Sequence, residues 1–160
     1  GRVYAVDVGR GQLADELRRD ERVVSLERLN ARTLGLGALP APVGLAVVDV
    51  SFISLGLVLG PIAACFGPSG GPIVPLVKPQ FEAGRSAVDK GVVRDPAVHL
   101  QVLRRAVAGA RELGLAAAGA IASPILGPQG NREFLLHLVV GAGPGLDRLT
   151  DERLVEVAAG

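Results

Sequence analysis

The stretch "LAVVDVSFISL", residues 45–55, decides the fold. Five of its first six residues are apolar, the pattern of a strand buried on both faces. It then breaks on Asp49, with Ser51 and Ser54 close behind. A second stretch, "PIVPLVKPQF" at residues 72–81, does the same, running apolar until Lys78 and then Pro79. Strands buried on both faces belong to parallel sheets, and such sheets bind ligands beyond the carboxyl ends of their strands. With Asp7 at the end of an earlier strand, these strand ends predict one crevice that holds Asp7, Asp49 and Lys78.

The rest of the chain alternates in the same way. "RVYAVDVG" (residues 2–9) reads as a buried strand ending at Asp7 and Gly9. "QLADELRRD" (12–20) reads as a helix with Leu13 and Leu17 on one stripe, and "RVVSLE" (22–27) as a short strand. "GALPAP" (37–42) is a turn-rich connector, "SLGLVLGPIAACF" (54–66) a helix, and "GPSGG" (67–71) a loop without the lysine of a phosphate-binding loop. Pro75 lacks the N–H for a ladder bond, which predicts an edge position or a bulge for its strand. Residues 79–94 show no period and predict a long surface loop. "DPAVHLQVLRRAVAGARELG" (95–114) is the clearest helix, with Asp95 as N-cap, Pro96 in the first turn and Gly114 at the C-terminal cap. "LAAAGAIASP" (115–124) and "REFLLHLVV" (132–140) are the last two strands, and "LTDERLVEVAAG" (149–160) adds a short helix. Alternating strands and helices predict an α/β fold with a mostly parallel sheet and helices on both faces.

Composition narrows the function. The chain has 160 residues, 49% hydrophobic and only 3% aromatic, so its core is built from Val, Leu, Ile and Ala. The net charge of +1 gives no global attraction to nucleic acid, so an RNA contact needs a local patch. Arg85, Lys90 and Arg94 in the 79–94 loop are the candidates for touching phosphates. The single cysteine, Cys65, excludes an internal disulfide and leads to the expectation of a cytoplasmic protein. No apolar run is long enough to span a bilayer. His99 and His137 lack ligand-like spacing, so no metal site is expected. The chain opens directly in a strand with no methionine ahead of it, which suggests part of a longer protein.

Asp7, at a strand end, can accept hydrogen bonds from ribose hydroxyls. Glu133 opens the last strand and adds a third ionisable group to Asp49 and Lys78, the pattern of a proton-handling site. A structural ion pair between Asp49 and Lys78 is the bland alternative. A lysine serves as a general base where burial favours its neutral form, while neighbouring carboxylates act against that.

The strings "YAVDVGRGQLADELRRD", "VVDVSFISL", "LVKPQFEAGR", "KGVVRDP" and "GNREFLLHL" resemble the TlyA, or hemolysin A-like, family over residues 2 to 140. The resemblance implies an FtsJ-like, Rossmann-like S-adenosylmethionine-dependent methyltransferase domain at 1–141, with a C-terminal tail at 142–160. It implies methyl transfer to a ribose 2′-hydroxyl, of cytidine, in ribosomal RNA. It also implies a Lys–Asp–Lys–Glu set whose last three members resemble Asp49, Lys78 and Glu133. Asp7 would hold the cofactor ribose, Asn30 and Ala31 would lie near its adenine, and Asp49 would serve cofactor and lysine together. The implied partner is ribosomal RNA or a ribosomal subunit, with no membrane. The family's first Lys, its S4-like RNA-binding domain, its first strand and its glycine-rich loop would precede Gly1, so the fold is expected to lack that first strand. This chain departs from the family at Arg10, commonly aromatic, and at Pro75. A non-catalytic RNA-binding module with a degenerate methyltransferase fold, and a hemolysin-like protein, are the alternatives.

Overall fold

The computed structural model describes residues 1–84, 87–143 and 145–160. Its strands are β1 (Val3–Asp7), β2 (Val23–Glu27), β3 (Ala46–Val48), β4 (Gly71–Val77), β5 (Ala116–Ala122) and β6 (Phe134–Val140). Its helices are α1 (Asp15–Arg19), α2 (Leu59–Ala63), α3 (Pro79–Glu82), α4 (Pro96–Glu112) and α5 (Asp151–Ala159). The strands fall into two sheets, a parallel pair β1-β2 and a four-stranded sheet in the order β3-β4-β6-β5. In the larger sheet β3 runs parallel to β4, and β6 runs antiparallel to both of its neighbours. The sheet is therefore mixed, with β6 as the one reversed strand.

Among the described residues no strand joins the two sheets. Both β1 and β3 thus have hydrogen-bonding edges without a strand partner, a costly arrangement where such groups are shielded from water. The halves are tied instead through side chains and one bridge. Ala31 and Leu34, beyond β2, pack against the core, and Val43 pairs with Phe66.

Pro75 corrects one expectation. It lies on an interior strand and is buried, facing Val48 of β3 in register. The strand accommodates it without a bulge. The ladder to β6 opens at Val74 and Pro75 and resumes in the same register at Leu76↔Leu135. The irregularity of the sheet lies elsewhere, in β5 between Ala117 and Gly119.

The helix read over 54–66 also proves shorter. A 3-10 turn at Leu55–Leu57 precedes the single turn of α2, where Gly60 and Pro61 limit continuation. Helix α4 follows its sequence signals. Asp95 Oδ1 accepts a 2.8 Å bond from Ala97 N–H, Pro96 sits in the first turn, and Gly114 takes φ +76°. Its buried face, Val102, Leu103, Val107 and Ala110, joins Ile73 and Val77 of β4 and Phe134, Leu136 and Leu138 of β6 in one core. Burying each such side chain contributes about 1.5–3 kcal/mol.

Helix α5 adds Leu154, Val157 and Ala158 to that core. Its approach is fixed by Arg111, which pairs with Asp147 at 2.9 Å, while Asp147 also accepts the Ala117 N–H at 3.0 Å. The Arg111 guanidinium holds the Asp147 carboxyl below the usual carboxylate range. Helices α2, α4 and α5 thus share one buried side of the four-stranded sheet. The alternate residues Val74, Leu135 and His137 look to the other side, where they are half-buried or exposed. The expectation of helices on both faces is met on one face of this sheet, while α1 packs against β2.

Candidate active site

Lys78 follows the last residue of β4, and Pro79 begins α3 directly after it. Proline cannot extend the ladder, so the chain turns into a helix and the lysine is left at the strand mouth. Asp49 follows the last residue of β3, the parallel neighbour. The side chains meet, with Lys78 Nζ 2.5 Å from Asp49 Oδ1 and donating to Ser51 Oγ at 3.2 Å. Their exposure is unequal. The Lys78 side chain is 12% exposed and that of Asp49 62%. The lysine is therefore covered on most sides, while the carboxylate keeps an open side toward solvent.

Glu133 reaches the same edge from the opposite direction. Val77 pairs with Phe134 in the antiparallel β4-β6 ladder, so Lys78 and Glu133 are the next residues beyond the last pair. Glu133 is 6% exposed and accepts a 3.1 Å bond from Gln80 Nε2, on α3. Gln80 Oε1 is buried without a protein partner. Gly127 leaves the space that this carboxylate occupies. A Cβ there would stand within 2.9 Å of both Glu133 oxygens, so any larger residue displaces the side chain.

The loop between Asp49 and Ser54 carries a feature that the sequence did not reveal. Phe52 adopts φ +62°, a left-handed conformation that a non-glycine residue rarely takes, and is 90% exposed. Its ring lies 4.8 Å from that of Phe81 on α3. Strained backbone of this kind costs about 1–3 kcal/mol and concentrates at functional sites. Ser51, Phe52, Gln80 and Gly127 were all missed as site residues. Their signal was weak, because a phenylalanine within an apolar run reads as core.

The other predicted residues stand at or beyond the ends of β1 and β2, in the separate two-stranded sheet. Among the described residues they share no hydrogen bond or ion pair with Asp49, Lys78 or Glu133. Asp7 closes β1, and its Oδ1 accepts the Gly9 N–H at 2.6 Å. A Cβ on Gly9 would crowd that oxygen at 3.0 Å, so the glycine leaves room for the carboxylate. Asn30 caps the 3-10 turn Ala31–Thr33, its Oδ1 accepting the Arg32 N–H at 3.0 Å. Ala31 packs against the core.

The expectation of a plain loop over 79–94 is corrected. The segment contains α3, a bridge between Asp89 and Val92, and the buried Val92 and Val93. Asn131, 2% exposed, fastens it to the loop that leads to Glu133. It accepts from Val93 N–H at 3.1 Å and donates to Gly91 O at 2.8 Å. Lys90 is exposed on the resulting turn, and Arg94 pairs with Asp89 at 3.7 Å with both side chains mostly in water. Arg85 lies outside the described residues. His99 is buried with its Nε2 3.0 Å from Val93 O, and His137 is exposed on β6. Among the described residues no cluster of His, Cys, Asp and Glu could hold a metal ion.

A mixed α/β sheet with Asp, Lys and Glu at adjoining strand ends defines a class. The model of the FtsJ-like methyltransferases matches residues 1–139, and the chain belongs to that family. It is 49% identical over 137 residues to TlyA of Mycobacterium tuberculosis, a 16S/23S rRNA (cytidine-2′-O)-methyltransferase, over 85% of this chain and 51% of the relative. YqxC of Bacillus subtilis, provisionally named an rRNA methyltransferase, is 47% identical over 161 residues, covering 96% of this chain and 56% of that protein. A solved structure from Streptococcus thermophilus, provisionally named a hemolysin, superposes with a TM-score of 0.91 at 42% identity, over 99% of this chain and 57% of the other. The TlyA resemblance read from the sequence is borne out. The chain spans about half the length of the curated relatives it matches.

Proposed function

We propose that this chain is the catalytic part of an enzyme that transfers a methyl group from S-adenosylmethionine to a ribose 2′-hydroxyl of ribosomal RNA, with cytidine as the nucleoside. The observation that carries the reading is the Lys78–Asp49 pair at adjoining parallel strand ends, with Glu133 next to it across the ladder. S-adenosylmethionine, when bound, supplies a methyl carbon made electrophilic by its sulfonium. The residues present suit that ligand. Asp7, oriented by Gly9, offers a carboxylate to ribose hydroxyls, and Asn30 and Ala31 border the adenine side.

A ribose hydroxyl is a poor nucleophile until its proton leaves. Lys78 would accept that proton, leaving the oxygen to take the methyl group that bound S-adenosylmethionine would supply. A positioned base of this kind contributes about 10²–10⁴-fold. Asp49 and Ser51 hold the lysine nitrogen in place and stabilise the ammonium that forms. Glu133, through Gln80, fixes the turn that carries Lys78. Phe52, next in the chain to Ser51 and against the Phe81 ring, presents an exposed ring suited to stacking a base swung out of its helix, an interaction worth about 1–3 kcal/mol. Lys90, Arg94 and Arg85 are assigned to backbone phosphates. Among the described residues no helix is long and apolar enough to cross a membrane.

Isothermal titration of S-adenosylmethionine tests the reading. The full-length protein is expected to bind one equivalent. Residues 1–160 alone, with the sheet divided between β1 and β3, are expected to bind far more weakly. No binding by the full-length protein would overturn the assignment and leave Asp49 and Lys78 as a structural ion pair in an RNA-binding module.

A further inference from the structure

Lys78 owes its position to partners on another segment. Asp49 and Ser51, which hold its nitrogen, belong to the loop that leaves β3, whereas Lys78 leads into α3. The β3-β4 ladder holds Asp49 beside Lys78 as far as the Val48↔Pro75 pair, but it does not reach the rest of the loop. One turn further along α3, Glu82 does. Its Oε2 accepts the Ser54 hydroxyl at 2.7 Å and its Oε1 accepts the Leu55 N–H at 2.7 Å. Ser54 in turn caps the 3-10 turn Leu55–Leu57, and Leu55 is buried in the core. The Phe52–Phe81 ring contact lies between the two attachments. The loop is thus fastened to α3 at three successive points: 49 and 51 on 78, 52 on 81, and 54 and 55 on 82.

We infer that Glu82 is a positioning residue for methyl transfer. It holds the Asp49–Ser54 loop against α3, so that Asp49, Ser51 and Phe52 stay in place around Lys78. This rests on the functional reading above. The strained Phe52 backbone makes the clamp necessary, since a loop held in a left-handed conformation relaxes when its far end is released. Both oxygens accept, so the role requires hydrogen-bond geometry, and a neutral amide can supply most of it. Gln at this position keeps the acceptor for Leu55 and turns its NH₂ toward Ser54 Oγ, which accepts in exchange.

The test compares Glu82→Ala, Glu82→Gln and Ser54→Ala with wild type in the full-length protein, on rRNA with methyl-labelled S-adenosylmethionine. Displacing a catalytic group by about an ångström costs up to about a hundredfold. Glu82→Ala is expected to lower kcat between about ten- and a hundredfold, with KM for S-adenosylmethionine changed less than about threefold. Glu82→Gln should restore kcat to within about threefold of wild type, and Ser54→Ala should fall between them. A folded Glu82→Ala with wild-type kcat would overturn the inference. So would a Glu82→Gln as impaired as Glu82→Ala, because charge and not position would then matter. If Glu82→Ala does not fold, Ser54→Ala with undiminished kcat overturns it as well. Wild type that methylates no ribose would overturn the functional reading instead. Amide exchange over residues 50–55 then judges the clamp. Faster exchange in Glu82→Ala and not in Glu82→Gln supports it, and unchanged exchange contradicts it.

Discussion

Lys78→Met is expected to lower kcat for methyl transfer by about 10²–10⁴-fold while S-adenosylmethionine still binds. Methionine fills nearly the same volume as the lysine stem and removes only the proton acceptor. The fold should tolerate it. The lysine side chain is 12% exposed, so the site already accepts an apolar stem, and Asp49, at 62%, is left facing water and not stranded in the interior. The thermal midpoint should therefore stay within a few degrees of wild type. Single-turnover kinetics with titrated cofactor binding check this directly. A lysine that merely paired with Asp49 would leave the rate intact.

Asp49→Ala carries the second large effect. It removes the carboxylate 2.5 Å from Lys78 Nζ and leaves that nitrogen with Ser51 as its remaining partner among the described residues. Hydrogen bonds between charged groups contribute about 1.5–3 kcal/mol, equivalent to roughly ten- to a hundredfold in rate. Two features move the expectation in opposite directions. Asp49 is well exposed, so water replaces part of the lost interaction, which favours the lower figure. It is also assigned to the cofactor, so binding weakens as well and kcat/KM falls further than kcat. Asp49→Asn keeps an acceptor without the charge and should recover part of kcat. Equal losses in the two variants would show that only the charge counts.

The strand ends were legible because a charge that interrupts an apolar run marks the mouth of a sheet, although the burial expected of those runs is not met: β1 has no buried residue, and Val47 of β3 is 75% exposed. Asp7, Asp49 and Lys78 were found in that way, and Glu133 by the same logic at the opening of β6. Pro75 misled because the rule confining proline to edges assumes an unbroken ladder. Here the ladder simply opens for two residues inside the sheet. The 79–94 segment misled because α3 is only four residues long, too short for a period, and because Val92 and Val93 are buried among polar neighbours. Phe52, Gln80 and Glu82 could not be placed from spacing. Their roles depend on a left-handed turn and on contacts between segments about 30 residues apart in the chain, as with Ser54 and Glu82.

Methyl-labelled S-adenosylmethionine, incubated with the full-length protein and unmodified ribosomal subunits, tests the central claim most directly. The RNA is digested to nucleosides, and the label is located by mass spectrometry. The label is expected on the ribose of 2′-O-methylcytidine, and to accumulate at least about a hundredfold more slowly when Lys78→Met replaces wild type. Label on a base, or no label with wild type, would contradict it.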